Sequence, residues 1–261
     1  MITAASNGRI KRLIQLNQKA RLRREEDVFV VEGLRMFLEA PLEKIREVYV
    51  SERFLGQCGC RDRLEQTGYE VVSDSLFEKI SDTVTPQGIL CVVEQFHYNK
   101  KKLMQKETPL FLILENIQDP GNLGTMLRTG EGAGVSAVIM SRDTVDPYNP
   151  KVIRSTMGSI YRVPFWQAED LREETEALRE QGVRVFAAHL QGSCEYTKAD
   201  YSGGSAFLIG NEGNGLRPET AALADACVRI PMEGEVESLN AAVAASLLMY
   251  EARRQRGERK G

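Results

Sequence analysis

Strand-length apolar runs at Leu110–Leu114, Ala137–Met140, Val183–Ala187, Ala206–Ile209 and Val228–Ile230 constrain this chain more than any other feature. A strand with one wet face alternates apolar and polar residues, whereas a nearly continuous apolar strand is covered on both faces. Helical stretches around Gly124–Glu131, Leu171–Gln181 and Ser238–Arg254 separate the runs. Strands alternating with helices imply a parallel sheet sandwiched between helices, with ligands bound in the loops beyond the strands' carboxyl ends.

The first half carries a smaller pattern of the same kind. Val28–Val31, Val48–Val50, Tyr69–Val72 and Ile89–Val93 read as strands, and Gly33–Ala40, Leu64–Thr67 and Leu76–Ile80 as helical pieces. These make a compact α/β domain over residues 1–97. The polar, lysine-rich stretch 98–108, bounded by Pro109, has the composition of a linker, and 109–261 forms the second domain. Ahead of the first strand, Asn7–Arg24 shows an apolar stripe at helical spacing through Ile10, Leu13, Ile14 and Leu16. Its other positions include Arg9, Lys11, Arg12, Lys19, Arg21, Arg23 and Arg24, with no acid before Glu25. Such a strip is either a solvated helix face or a surface that neutralises phosphates.

Composition narrows the class. With 42% hydrophobic and 27% charged residues in 261, the chain is an ordinary globular protein. A net charge of −3 excludes a wholly basic nucleic-acid coat and leaves room for a local one. The opening MITAASNGRIKRL has no apolar core of a signal peptide, and no run is long enough to span a bilayer, so a cytoplasmic location is expected. The five cysteines, Cys58, Cys60, Cys91, Cys194 and Cys227, are scattered and odd in number, as expected for free thiols. Cys58 and Cys60 have no second pair or nearby histidine, and His97 and His189 are the only histidines, so no metal site is expected.

Three loops of the second half hold the polar chemistry. Glu115–Arg128 (ENIQDPGNLGTMLR) reads as a strand end, a turn at Pro120-Gly121-Asn122, and a helix opened by Gly124 and carrying Arg128. Leu208–Leu216 (LIGNEGNGL) follows a strand, and Gly210, Gly213 and Gly215 permit close approach of backbone to a ligand. Ile230–Asn240 (IPMEGEVESLN) runs into an alanine-rich helix for which Ser238 is a good N-cap. Each loop alone is equally a turn or a cap. No G-x-G-x-x-G opens a helix, which speaks against an oxidoreductase's dinucleotide site.

Together, in order and spacing, these three motifs resemble the SpoU (TrmH-type) branch of the SPOUT RNA methyltransferases, over roughly Pro109 to Arg256. The basic opening helix and FVVEGLRMFLEA resemble that family's L30e/L7Ae-like substrate-binding module. The resemblance implies an α/β fold whose C-terminal parallel-sheet domain holds a deep trefoil knot, plus the small N-terminal domain. It implies transfer of the methyl group of S-adenosyl-L-methionine to a ribose 2′-hydroxyl, with 23S ribosomal RNA as the preferred partner and tRNA as the alternative. A non-catalytic RNA-binding protein of the same fold is the other alternative.

Carried over residue by residue, the resemblance implies a catalytic set of Arg128, Asn122, Glu212, Ser238 and Asn240. Arg128 acts at the ribose hydroxyl and the others orient it. Cofactor contacts fall on Gly210, Ile230 and Leu239, with Asn211, Gly213 and Gly215 as neighbours. RNA contacts are expected at Arg12, Lys19, Arg21, Arg23, Lys151 and Arg154, the last two within DPYNPKVIRSTMGSIYRV (146–163), which also resembles the family. A homodimer through the second domain is implied as well.

Overall fold

A computed structural model describes residues 1–57, 59–190, 192, 194–235 and 237–258; Cys58 therefore lies outside the described residues. The chain separates into two compact units, 1–96 with 146–161, and 97–145 with 162–261.

In the first unit, α1 (Gly8–Gln18) and α2 (Ala20–Glu26) precede β1 (Val28–Glu32), α3 (Leu34–Glu39) and β2 (Ile45–Ser51). Then come α4 (Glu52–Gln57), α5 (Arg61–Thr67), β3 (Glu70–Val72), α6 (Asp74–Ile80) and β4 (Ile89–Glu94). The sheet order is β1-β4-β2-β3, with β4 antiparallel to both neighbours and β2 parallel to β3. Ile10, Leu13 and Leu16, the stripe seen in the sequence, are buried against Val28, Val30, Tyr49, Phe77 and Leu90. The opening helix is not continuous: Lys19 is extended, and Asp27 ends α2 in the left-handed region at φ 56°.

That break places Arg23 inward. Its side chain is 3% exposed, its Nε donates to Asp146 Oδ2 at 3.0 Å, and its Nη1 donates to the Leu16 and Asn17 carbonyls. Asp146 opens the segment 146–161, which the sequence pattern assigns to the second domain and which clusters here with the first. Its Tyr148 ring lies 4.6 Å from that of Phe29 and its hydroxyl accepts from the Phe96 N–H at 2.8 Å, while the Tyr161 hydroxyl donates to the Met36 carbonyl. Beside its local hydrogen bonds, this segment thus takes long-range partners from β1, from α3 and from Phe96 just beyond β4.

The second unit begins with α7 (Lys100–Met104), which occupies the stretch expected as a linker; Leu103 and Met104 pack on the core. It continues through β5 (Leu110–Leu114), α8 (Pro120–Ala133) and β6 (Ala137–Ser141). After α9 (Pro150–Thr156) of the first unit come β7 (Phe165–Ala168), α10 (Leu171–Glu180), β8 (Arg184–Ala188) and β9 (Cys194–Glu195). The chain ends with β10 (Ser205–Ile209), α11 (Pro218–Ala221), β11 (Ala226–Arg229) and α12 (Ala241–Glu258).

Seven strands in the order β7-β6-β5-β10-β8-β11-β9 form an all-parallel sheet, as the apolar runs demand. From β5 the chain winds outward to β6 and β7, whereas the later strands lie on the other side of β5. The crevice between the carboxyl ends of β5 and β10 is the switch point where such sheets bind ligands.

Helix α12 packs on α8 through small residues. A Cβ on Gly132 would lie 2.9 Å from the Tyr250 hydroxyl, and Ala242, Ala245 and Ala252 are buried. Two other glycines mark close approaches of backbone to backbone: a Cβ on Gly192 would meet the Val228 carbonyl carbon at 2.6 Å, and one on Gly210 the Gly215 carbonyl carbon at 2.1 Å. The far end of α12 is anchored by Arg256, whose guanidinium donates to the Tyr201, Gly203, Thr108 and Pro109 carbonyls.

Arg23→Ala strands the Asp146 carboxylate and two carbonyls, and removing one partner of a buried pair costs about 3 kcal/mol or more. Urea unfolding followed by circular dichroism is expected to show that loss; an unchanged midpoint would mean that Arg23 does not anchor the 146–161 segment.

Candidate active site

The three loops converge at the carboxyl edge of the large sheet. Where β5 ends, Asn116 turns the chain in the left-handed region at φ 54°, a conformation that asparagine tolerates better than most residues. Its N–H donates to the Ser141 hydroxyl at 2.8 Å, and Gln118 Nε2 donates to Asn116 Oδ1. Helix α8 then opens at Pro120, not at Gly124. Asp119 is its N-cap, accepting from the Asn122 N–H at 2.7 Å, and proline's missing N–H is harmless at the first helical position. Asn122 consequently sits in a first helical turn.

The glycine-rich loop after β10 closes on itself. Asn211 and Gly215 exchange backbone hydrogen bonds at 3.0 Å in each direction. Asn211 Oδ1 accepts from the Gly213 and Asn214 N–H groups at 3.0 and 3.1 Å, and its Nδ2 donates to the Asn116 carbonyl at 2.8 Å. Gly215 has φ 68°, and the crossing at Gly210 leaves no room for a side chain.

In the third loop the helix cap is Asn240 rather than Ser238. Asn240 Oδ1 accepts from the Ala242 N–H at 2.9 Å and the Val243 N–H at 3.3 Å, two of the donors a helix start leaves unpaired. Ser238 is exposed.

One hydrogen-bonded chain joins all three loops. Glu212 accepts from Asn122 Nδ2 at 3.0 Å and from the N–H groups of Gln118 and Asp119 at 3.2 and 3.1 Å. Asn122 Oδ1 in turn accepts from Asn240 Nδ2 at 2.9 Å. Burial pushes the Glu212 carboxyl up, but the hydrogen bonds from Asn122 and from the Glu212, Asp119 and Gln118 N–H groups outweigh it and hold the carboxyl below its ordinary value. Glu212 is therefore an anion that accepts hydrogen bonds, with no proton to give.

Arg128 lies two turns further along α8, exposed and without an ion pair or hydrogen bond among the described residues. Its guanidinium is available to a ligand. Gly210 follows β10 and Ile230 follows β11, and β8 runs between those two strands. The residues after β8 thus stand between the two expected cofactor walls: the His189 N–H donates to the Val228 carbonyl at 3.0 Å and Leu190 is exposed. Sequence reading missed this loop, although its glycine, Gly192, was visible. Leu239 is half-buried beside Asn240.

The expected RNA contacts separate into three kinds. Arg12 is bound by Glu26 and Glu47, Arg21 by Glu25, and Arg154 by Asp82. Arg23 is buried, as described above, and out of reach of a phosphate. Lys19 and Lys151 are exposed, with no ion pair among the described residues. Cys60, Cys91, Cys194 and Cys227 are free, and among the described residues no cluster of metal-ligating side chains is present. Among those same residues no helix is long and apolar enough to cross a membrane.

A parallel sheet with three polar loops joined at its carboxyl edge defines a ligand-binding domain of the doubly wound type, and comparison with known proteins gives it a family. Residues 109–250 match the SpoU rRNA Methylase family, and 7–91 match the MRM3-like substrate binding domain. The chain belongs to the SpoU family. It is 32% identical to the 23S rRNA (guanosine(2553)-2′-O)-methyltransferase RlmP of Bacillus subtilis, over 97% of this chain and 98% of the relative. Among solved structures it resembles an AdoMet-bound rRNA methyltransferase of Sinorhizobium meliloti, at 32% identity and a TM-score of 0.85 over 97% of each chain. It is also similar to the SpoU methyltransferase AviRb of Streptomyces viridochromogenes in complex with AdoMet, at 27% identity and a TM-score of 0.86, over 96% of this chain and 98% of that one.

Because the Glu212 carboxyl is held low in the folded protein, its stabilising contribution is complete above the ordinary carboxyl value of 4.5 and is lost as pH falls through the lowered one. Thermal unfolding midpoints from about pH 7 to about pH 3 are expected to fall more steeply for the wild type than for Glu212→Gln, which has no such proton to take up. Parallel curves would show that the loop network does not depend on the charge.

Proposed function

We propose that this chain transfers the methyl group of S-adenosyl-L-methionine to a ribose 2′-hydroxyl of 23S ribosomal RNA. The observation that carries the reading is the Glu212–Asn122–Asn240 chain, which draws the polar residues of three separate motifs together at the head of α8, the helix that also carries the exposed Arg128. RlmP and the RlmB of Shewanella oneidensis, 29% identical over 90% of this chain, are both 23S rRNA guanosine 2′-O-methyltransferases, which makes a guanosine of that RNA the first target to test.

The cofactor, when bound, supplies a methyl group already activated on a sulfonium. Gly210, Ile230 and Leu239 form its seat, with Asn211, Gly213 and Gly215 shaping the loop; the tight Asn211–Gly215 turn, which passes directly against Gly210, gives that wall a fixed backbone. The remaining task is to bring the ribose oxygen into line and to accommodate its proton. Arg128 is the group for this. A guanidinium carries charge at working pH and presents a fork of donors, so it fixes ribose and phosphate together by a bidentate contact. Such alignment is worth several powers of ten in rate when the donor is already activated. Asn122 and Asn240 tie the heads of α8 and α12 together and so fix the helix that carries Arg128, and Ser238 belongs to the loop that leads into α12.

RNA is held by exposed cations of the first unit, Lys19 and Lys151, aided by Arg12, Arg21 and Arg154 where phosphate displaces a surface carboxylate. Surface ion pairs contribute only about 0–1 kcal/mol, so that exchange is easy. Arg23 is an internal anchor. The second unit also presents an apolar face on α8 and α12, lined by Thr125, Ala242, Val243, Ser246, Leu247 and Tyr250, with Val243 48% and Tyr250 49% exposed. A second copy of this chain covers it, making a homodimer.

Two measurements test this reading. Mapping of 2′-O-methyl groups in total RNA from cells with and without the gene is expected to show loss of one 23S site, and loss of a tRNA site instead would overturn the target. Arg128→Ala is expected to lower the rate of methyl transfer by about a hundredfold or more while cofactor and RNA still bind, as for a group that acts in alignment; wild-type turnover would remove Arg128 from the mechanism. For the dimer, Tyr250→Asp places a charge in the apolar face, and sedimentation is expected to show a monomer; a monomeric wild type would contradict the interface.

A further inference from the structure

Glu115, the residue immediately after β5, is a carboxylate only 2% exposed, and the reaction outlined above does not use it. An anion so buried is retained only where its hydrogen bonds are supplied in full. Its Oε2 accepts from the Arg217 N–H at 2.7 Å, its Oε1 accepts from the Thr220 hydroxyl, and the Arg217 guanidinium stands 3.6 Å from Oε1 while binding Asp143. Its own N–H donates to the Ile209 carbonyl at 2.9 Å.

Those contacts fall on the two sides of one loop. Ile209 is the last residue before the glycine-rich turn, and Arg217 is the second residue after Gly215. The residue after β5 therefore holds both the entry and the exit of the loop that contains Gly210 and Glu212, the entry through its backbone N–H and the exit through its carboxylate. The spacing it sets is critical, because the loop's two strands already cross at contact distance at Gly210. Thr220 belongs to α11, so the same carboxylate also fixes where that short helix starts.

We propose that Glu115 is a positioning residue for methyl transfer: by clamping both ends of the 210–216 loop it sets the shape of the cofactor seat. The proposal rests on the reading of that loop as the cofactor wall. Glu115→Gln keeps one acceptor for the Arg217 N–H and offers an amide N–H to the Thr220 hydroxyl, so the clamp survives without charge. Glu115→Ala leaves both groups unpaired in a buried place, which corresponds to about a tenfold or larger change in an equilibrium linked to it.

The test is isothermal titration with S-adenosyl-L-methionine, together with a filter assay of RNA affinity, on the wild type, Glu115→Gln, Glu115→Ala and Thr220→Val. The expected result is a cofactor Kd raised about tenfold in Glu115→Ala and about threefold in Thr220→Val, with Glu115→Gln near wild type and RNA affinity unchanged throughout. A purely structural role lowers the melting temperature of the variants without moving the cofactor Kd. If Glu115→Ala does not fold, Thr220→Val decides: an unchanged cofactor Kd in it overturns the proposal. A wild type that binds no cofactor overturns the underlying reading instead.

Discussion

The Glu212 carboxylate holds the functional half of this protein together. It satisfies the backbone donors that lead into α8 and the side chain of Asn122 on α8, and through Asn122 it reaches Asn240 at the head of α12. The head of α8 is thereby fixed to two loops that lie 90 and 118 residues further along the chain. Each contact is a single hydrogen bond of modest net worth, roughly 1 kcal/mol, but a charged acceptor with several donors is stronger than its parts, and losing it strands every donor at once. The rigid parallel sheet below supplies what the loops cannot, a common floor from which all three rise.

Around that network the backbone is used close to its limits. Asn116 is left-handed, Gly210 touches the chain on the loop's return, and Gly192 touches β11. Conformations and contacts of this kind persist only where their surroundings over-determine them. Here the surroundings include Asn211, which bonds the Asn116 carbonyl, and Arg256, which ties the far end of α12 to the loops at the opposite edge of the sheet. The cofactor seat proposed above, formed at the turn after β10, depends on this rigidity.

Much of this was legible in the sequence, for identifiable reasons. The central strands were found because burial on both faces leaves no polar positions in Leu110–Leu114 or Ala206–Ile209. The polar set was recognisable only through family resemblance, since each of its residues alone was an adequate turn or cap. What escaped was set by tertiary contact. Arg23 reads as one more cation in a basic strip until its partner Asp146, distant in sequence, is placed beside it. β7 begins directly after Pro164 and carries Gln167 at a sheet edge, so its apolar signal is weak; β9 is two residues long and has none. The helix cap was assigned to Ser238 because serine is a good cap in general. Asn240, two residues on, takes the role because its amide can cap α12 and bond Asn122 at once.

If the three loops act as one site, Glu212 and Asn240 are energetically coupled, and a double-mutant cycle on Glu212→Gln and Asn240→Ala measures that directly. Among the described residues these two share no direct hydrogen bond, and both bond Asn122. With single-turnover methyl transfer as the readout, the double variant is predicted to be little worse than the poorer single variant, a coupling of about 1 kcal/mol or more between groups of one network. Independent losses that simply add would contradict a shared site and leave three loops that are merely neighbours.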